Sequence, residues 1–471
     1  MRALRRTKIV CTLGPSSSDK KTIRALIEAG MDVARLNMSH GTQDDHHRLI
    51  SIVREQADVL GLNVSVLMDL QGPKIRIGEI PDGPVYLEKG DFVELTGHPI
   101  EKSTSERLYI DYASLSEDVS IGKKVLIDDG NLELVVSELR GDVVVAEVLI
   151  GGIVTSRKGV NLPNIRTTIP SLTEKDLRDI DFGLEHQVDI VALSFVRDPS
   201  DVTDLVQRLG GPRERPSIIA KIEKPEAVAN FDKILTQSDG IMVARGDLGI
   251  EMRLSQVPGT QKTLIRKCIQ AAKPVITATQ MLESMMGNPR PTRAEVSDVA
   301  NAVIDGTDAV MLSGETAAGS YPIRSVEVMA GVIEEIEKYC ETLYTPGKKK
   351  SANVSDAIAA SATELAEKVG AVAIACMTAS GNTARSIASH RPSVPVYAFT
   401  DDQRVVGQVT LTWGTKGFYI PFQSDTDDGI SRLLAKLVEH DLAARGDLIV
   451  VTAGMPLPAK GRSNTVHVSK I

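Results

Sequence analysis

Short apolar runs alternate with amphipathic stretches along most of the chain. From Lys8 to about Tyr344 the runs are KIVCTL, DVARLNMS, VSVLMDL, VDIVALSF, SIIAKIE, DGIMVAR, KPVITATQ and DAVMLS. Each is nearly continuous rather than alternating, the pattern of strands buried on both faces of a parallel sheet. Segments with helical spacing lie between them, among them Ser18–Ala29, Gln43–Leu60, Pro199–Leu209, Gln256–Ala271 and Arg293–Ile304. Eight strand–helix units predict a closed (β/α)8 barrel, which takes about 250 residues. A doubly wound open sheet is the structural competitor.

The third unit is interrupted. After VSVLMDLQGP no helix follows, and the next segments (VYLEKGDFVELTG, RLYIDY, KKVLIDDG, LELVVSEL, DVVVAEVLIGG) are short, β-branched and separated by Lys-Gly, Asp-Gly and Arg-Gly turns. That is an all-β signature. Helical spacing resumes at Ser171–Gly183, with Thr173 as a capping residue before Glu174 and Asp176. The expectation is a barrel in two pieces, residues 1–72 and 169–345, with a β lid (73–168) inserted at the active-site end of strand three. After the linker TPGKKKSANVSD, residues 346–471 repeat the alternation on a smaller scale and predict an open α/β regulatory domain.

Composition narrows the function. The 471 residues are 42% hydrophobic and 25% charged, which excludes a mainly disordered chain, and only 3% aromatic. A net charge of -8 with few rings argues against nucleic acid as a partner. Cys11, Cys268, Cys340 and Cys376 lie far apart without a CxxC pair, which suits a reducing compartment. No apolar run nears the roughly 18 residues that span a bilayer. MRALRRTKIVCTLGP breaks too early for a signal peptide and reads as a first strand. The expected location is the cytoplasm, away from membranes.

The chemistry stands at the strand ends: Arg35-Leu-Asn37-Met-Ser39-His40, Asp69, Ser194, Lys221-Ile-Glu223, Arg245-Gly246-Asp247, Thr277-Ala-Thr279-Gln280 and Ser313-Gly-Glu315. Residues two apart on a strand share a face, so these read as same-facing pairs gathered at one mouth. Singly, each has a bland reading as an edge ion pair, a solvated side chain or a helix cap. The bland reading fails on the set, because polar residues recur at the same end of otherwise apolar strands. Glu223 and Asp247 suit a hard divalent cation completed by phosphate oxygens. Arg35 and Arg76 offer planar donors to phosphate, the turn from Gly246 offers backbone N–H groups, and Lys221 can stabilise a developing enolate. His40, His46 and His47 have no nucleophile beside them.

ARLNMSHG (34–41), MDLQGPKIRIG (68–78), RKGVNLP (157–163), KIEKPEAV (221–228), DGIMVARGDLGIE (239–251), PVITATQMLESM (274–285) and PRPTRAEVSDVANAVIDGTDAVMLSGETA (289–317) resemble the pyruvate kinase family, in order and with the insertion at strand three. The resemblance implies phosphoryl transfer from phosphoenolpyruvate to ADP, giving ATP and pyruvate at the last step of glycolysis. It implies Lys221 against the bridging and enolate oxygens, Glu223 and Asp247 as ligands of Mg2+ (with Mn2+ as a substitute), and Gly246, Asp247 and Thr279 at the substrate carboxylate. Thr279, Ser313 and Glu315 match a polar relay, and Arg35 and Arg76 match the arginines on the transferring phosphoryl group. Asn37, His40, Arg76 and Lys158 match the nucleotide side. The monovalent-cation region matches Asn37, Ser39, Asp69, Leu70 and Lys74; Leu70, Gln71, Lys74 and Ile77 match the K+-independent subgroup, with Lys74 where K+-dependent members carry glutamate.

The resemblance also places a sugar-phosphate or nucleotide effector at TASGNTA, over Thr378, Ser380, Gly381, Asn382 and Thr383, with Gly461–Thr465 as a second loop. From the residues alone, a phosphate nest and a plain helix cap fit that loop equally. A homotetramer is implied, and the extra phosphohistidine-type C-terminal domain of some bacterial members is expected to be missing. Two other readings are open: a metal-dependent 2-keto-acid aldolase, which has little use for Arg76, Lys158 or a lid, and a non-catalytic metabolite-binding descendant, which would have lost Lys221, Thr279 or the carboxylates.

Overall fold

A computed structural model describes residues 5–211, 214–343, 353–421, 425–455 and 463–471. The eight apolar runs form eight strands: Lys8–Thr12, Val33–Asn37, Ser65–Asp69, Ile190–Leu193, Ser217–Ile222, Gly240–Ala244, Val275–Ala278 and Ala309–Leu312. All neighbours are parallel, and strand eight pairs with strand one, Lys8 opposite Ala309, so the sheet closes. The open-sheet competitor is thereby excluded.

The helices between the strands start where the sequence supplies caps. Thr42, Thr173, Asp198 and Thr292 each accept from a backbone N–H one turn in, and each has an acidic residue at the third helical position that bonds back. Successive residues of each strand point alternately inward and outward. Val10, Val33, Leu67, Ile219, Met242, Ile276 and Met311 fill the barrel interior, and Ile9, Cys11, Ala34, Val66 and Met68 pack outward under the helices. The interior is thus a packed aliphatic core without aromatic rings.

The insertion has its own core around Val93, Leu108, Leu134 and Val148. Six strands make its main sheet, in the order Val160–Asn161, Lys124–Ile127, Leu132–Arg140, Val143–Ile150, Phe92–Thr96 and Arg107–Tyr109. Gly152–Val154 pairs separately with Val85–Leu87. The two connections to the barrel pair with each other where Arg76 bridges Gly159. A single-turn helix, Leu115–Asp118, and the pairing of Val160–Asn161 are absent from the sequence-based expectation, being too short to carry a period.

The C-terminal region is a five-stranded sheet, four strands parallel and the last antiparallel: Thr415–Tyr419, Val396–Thr400, Ala373–Met377, Leu448–Ala453 and Thr465–Lys470. It meets the N-terminal end of the barrel, where Leu411 joins the barrel's interior cluster. Most of the linker TPGKKKSANVSD lies outside the described residues. No helix among the described residues is long and apolar enough to cross a membrane.

Candidate active site

Strand five delivers Lys221 to the C-terminal mouth of the barrel. Its Nζ lies 2.7 Å from Ser194 Oγ, 2.8 Å from Glu223 Oε1 and 3.2 Å from Asp69 Oδ1. Asp69 Oδ2 accepts from Arg35 Nε at 2.7 Å, and Arg35 Nη1 donates to Thr12 Oγ1 at 2.8 Å. Ser194 donates its hydroxyl to the Leu70 carbonyl at 2.7 Å, which leaves a lone pair for the lysine. Thr12, Arg35, Asp69, Ser194 and Glu223 are all below 9% exposed. Buried charges persist only when paired and hydrogen-bonded, and strands two, three and five supply Arg35, Asp69 and Lys221.

The electrostatics follow from that packing. Burial alone would raise the Asp69 carboxyl; the charges of Lys221 and Arg35 outweigh it and hold the pKa below its ordinary value. For Lys221, burial opposes the charge, but Asp69 and Glu223 prevail and raise its pKa, so it stays an ammonium. Glu223 does not mirror its partner. Burial raises its pKa, Lys221 opposes, and the like charge of Asp247 adds to burial, so the net shift is upward. Glu223 Oε2 also accepts from the Phe195 N–H at 2.7 Å.

The rule of same-facing pairs holds inside the strands and fails one residue beyond them. Strand six ends at Ala244, and Arg245–Glu251 is helical. Arg245 turns away from the mouth to Asp298 (2.8 Å) and the Thr279 carbonyl (2.7 Å), so it is a brace between loops and not a partner of Asp247. Ser313 precedes the helix Gly314–Ala317, and Glu315 within that helix is buried with its carboxylate on the Leu282 and Ser313 N–H groups, at 3.0 and 2.8 Å. Burial raises the Glu315 pKa. Thr277 bonds the Thr307 hydroxyl at 3.0 Å. Thr279 leaves the strand at φ 66°, a strained conformation for a β-branched residue. The strain brings its Oγ1 to 2.7 Å from the Gly246 N–H, which donates to it.

The lid carries further cations, of which Lys74 lines a cleft with Asp247. The His40 pKa is lowered, first by burial and then by the charges of Lys74, Arg76 and Arg35. Arg76 Nη1 donates to the Arg157 carbonyl at 2.9 Å. Lys158 pairs with Asp128 at 2.7 Å within the lid, and the Asp128 pKa falls because of that bond. Asn37 Oδ1 accepts from the Ser39 N–H at 3.1 Å, which shapes the turn before His40. Arg197 donates to the carbonyls of Thr167 and Ile169, both at 2.8 Å, and so ties down the lid's return segment.

Thr12, Arg197 and the trio Asn161, Lys224 and Glu251 escaped the sequence reading. Thr12 obeys the same strand-end rule as the others and was legible. The trio joins segments 90 residues apart and carried no local signal.

Among the described residues no group of three or more His, Cys, Asp or Glu forms a metal cage. The donor set nevertheless fits Mg2+, which keeps waters and takes one or two carboxylates plus substrate phosphates. Glu223 and Asp247 are hard oxygen donors close enough to repel each other, and a dication relieves that repulsion.

In the C-terminal sheet, Thr378–Thr383 joins the strand Ala373–Met377 to the helix Asn382–Ser389. Gly381 has φ 78° and donates its N–H to Thr378 Oγ1 at 3.0 Å. No side chain caps the helix there. Thr383 Oγ1 lies 2.7 Å from Ser463 Oγ, so the two loops meet; Gly461 and Arg462 lie outside the described residues.

A closed parallel barrel with buried ion pairs at its C-terminal mouth, beneath an inserted lid that bears Lys74, Arg76 and Lys158, is the architecture of a barrel enzyme. The family model for the pyruvate kinase barrel domain matches residues 4–326, and that for the pyruvate kinase alpha/beta domain matches residues 356–469. The chain belongs to the pyruvate kinase family and is a phosphotransferase. It is 45% identical to a pyruvate kinase of Mycobacterium intracellulare over 99% of this chain and 98% of that protein. A pyruvate kinase of Geobacillus stearothermophilus is 43% identical over 99% of this chain and 80% of its own length. The crystal structure of a pyruvate kinase from Cryptosporidium parvum superimposes with a TM-score of 0.91 at 38% identity, covering 99% of this chain and 96% of that one.

Proposed function

We propose that the chain transfers the phosphoryl group of phosphoenolpyruvate to ADP and releases pyruvate after protonation of the enolate. The observation that carries this reading is the clamping of Lys221 between Asp69, Glu223 and Ser194 at the strand-five end. Its raised pKa keeps the lysine charged, so it works as a fixed cation beside the bridging and enolate oxygens and does not deliver the proton. Arg35 and Arg76 grip the phosphoryl oxygens, and the Gly246 N–H with Thr279 receives the carboxylate. Glu223 and Asp247 would hold Mg2+, which would supply charge neutralisation. Thr279, Ser313 and Glu315 lead toward the face where the enolate is protonated. His40 and Asn37 flank the nucleotide, and Lys158 leaves Asp128 to meet its phosphates. The lid excludes water, which competes with ADP as acceptor.

A coupled assay for pyruvate, run with and without ADP, tests this. No pyruvate from phosphoenolpyruvate, as the aldolase and the non-catalytic readings require, or pyruvate release that does not need ADP, would overturn the reading.

We also propose K+ independence. Lys74, exposed with its side chain along Gly159, adds a fixed ammonium to the charges felt at His40. Rate in a Na+- and K+-free buffer should change less than about twofold on adding K+, whereas Lys74→Glu should create a K+ requirement. A large stimulation of the unmodified enzyme by K+ overturns it. Regulation by a phosphorylated effector at Thr378–Thr383, a homotetramer, and division into barrel (1–72, 169–345), lid (73–168) and regulatory domain (346–471) complete the proposal. A panel of sugar phosphates and nucleotides in the same assay tests the first, and light scattering the second.

A further inference from the structure

Glu251 closes the helix that begins at Arg245 and carries Asp247. It is 3% exposed. One carboxylate oxygen, Oε1, takes two donors from different parts of the molecule: Lys224 Nζ at 3.0 Å and Asn161 Nδ2 at 3.1 Å. Lys224 directly follows Glu223, and Asn161 lies on the lid strand Val160–Asn161. A single oxygen therefore joins the loop bearing one metal carboxylate, the helix bearing the other, and the lid. The second oxygen, Oε2, is buried without a hydrogen-bond partner. Glu251 lines the cleft between lid and barrel together with Asn161, Lys224, Lys74, Arg197 and Asp247.

A buried carboxylate oxygen left unpaired costs free energy in this arrangement and so favours any arrangement that gives it a donor. The lid is the one element at this joint whose position can change independently of the barrel core, because it has its own core and two paired connections. We propose that Glu251 is a positioning residue that couples the lid to the metal-binding pair. With the lid engaged, the Asn161 and Lys224 bonds fix the helix from Arg245, and so fix Asp247 relative to Glu223. This rests on the reading of Glu223 and Asp247 as the metal ligands. Glu251 itself is four residues beyond Asp247 and touches neither the metal nor the substrates in this arrangement.

The test uses the full chain with Glu251→Gln, Asn161→Ala and the double variant. Mn2+ is titrated in the presence of phosphoenolpyruvate by electron paramagnetic resonance, and kcat and KM for ADP are measured in parallel. Glu251→Gln keeps the shape and an acceptor but loses the charge that holds Lys224, and it should weaken Mn2+ binding about tenfold, the scale for a partner behind the ligands. Asn161→Ala should weaken Mn2+ binding by less than Glu251→Gln does, because Lys224 still holds Glu251, and should lower kcat severalfold through the lid. The double variant should have the kcat of Glu251→Gln alone, because one joint cannot be broken twice. Unchanged Mn2+ binding in Glu251→Gln, or multiplicative kcat losses in the double variant, overturns the proposal, as does a variant that merely melts earlier with both constants intact. If the unmodified enzyme fails to bind Mn2+ with phosphoenolpyruvate, the assignment of the ligands fails instead, and the two failures are distinguishable.

Discussion

At the N-terminal end of the barrel, the aspartates that open strands two, four, six and eight each accept from a neighbouring backbone. Asp32 takes the N–H of Ile9 at 2.9 Å, Asp189 that of Val66 at 2.8 Å, Asp239 that of Ile218 at 2.8 Å and Asp308 that of Val275 at 3.0 Å. At the C-terminal end, Asp69 and Glu223 meet chiefly side chains: Arg35, Ser194 and Lys221. Backbone donors are fixed by the sheet, so each lower carboxylate staples one strand to the next, and Asp32, Asp239 and Asp308 each hold a guanidinium as well, from Arg5, Arg215 and Arg391. Side-chain cations can be drawn to a new partner, and the upper carboxylates share space with the like charge of Asp247. The same residue type thus serves stability below and is left able to exchange partners above, which is the division expected of the two barrel faces.

The comparison breaks first at Lys221. Lys221→Met should lower kcat by about 10³-fold or more, since it removes a charge aimed at the developing enolate. The fold should survive at a reduced melting temperature, because Asp69 keeps Arg35 and Ser194, and Glu223 keeps the Phe195 N–H. Circular dichroism beside steady-state kinetics reads both. Near-normal turnover would remove the assigned role and with it the functional half of the contrast.

The opposite result is expected from Asp308→Ala. Asp308 is 4% exposed and also takes the Trp413 N–H at 3.2 Å and Arg391 at 3.2 Å from the C-terminal region. Its removal leaves a buried guanidinium and two N–H groups without their acceptor, a loss of about 3–5 kcal/mol. Urea unfolding should show that loss, while kcat well below the melting temperature stays within about twofold. A matching collapse of kcat would show that the two ends of the barrel are not separable.

Much of this contrast could be read from the sequence, and the limits of that reading are physical. All eight barrel strands were legible because burial on both faces makes their runs continuous. Lys221 with Glu223 was legible because period two holds as far as the strand does. Arg245 and Ser313 fall where a helix starts at once, so the period changes and the inferred orientation is lost. Thr279 sits at a positive φ that only the surrounding loops impose. The joint of Asn161, Lys224 and Glu251 and the role of Arg197 depend on the lid's placement, which no local pattern encodes. The aspartates below were visible as MDV, VDI, SDG and TDA before each strand. Their partners are on the adjacent strand, and only the closed sheet order identifies them.

Asp189 is the exception among the lower four and gives the finest test of the contrast. Its carboxylate is pressed under Gly407 of the C-terminal region, where even a Cβ would come within 2.0 Å of Oδ1. Burial pushes its pKa up to about 6, against the Val66 N–H bond and the charge of Arg54, which pull it down. The unfolded chain titrates near 3.9. Below about pH 4 both states are protonated and the group is neutral in its favourable form. As pH rises toward 6 the unfolded chain releases its proton first, so this aspartate's contribution to stability falls through that window and is flat above it. Asp189→Asn keeps an acceptor for Val66 and cannot ionise. The melting temperature of the unmodified protein relative to this variant should therefore decline between pH 4 and pH 6 and level off beyond. A difference that stays constant across that range would mean that burial does not hold the Asp189 carboxyl neutral in the fold, and would remove Asp189 as the exception among the lower four.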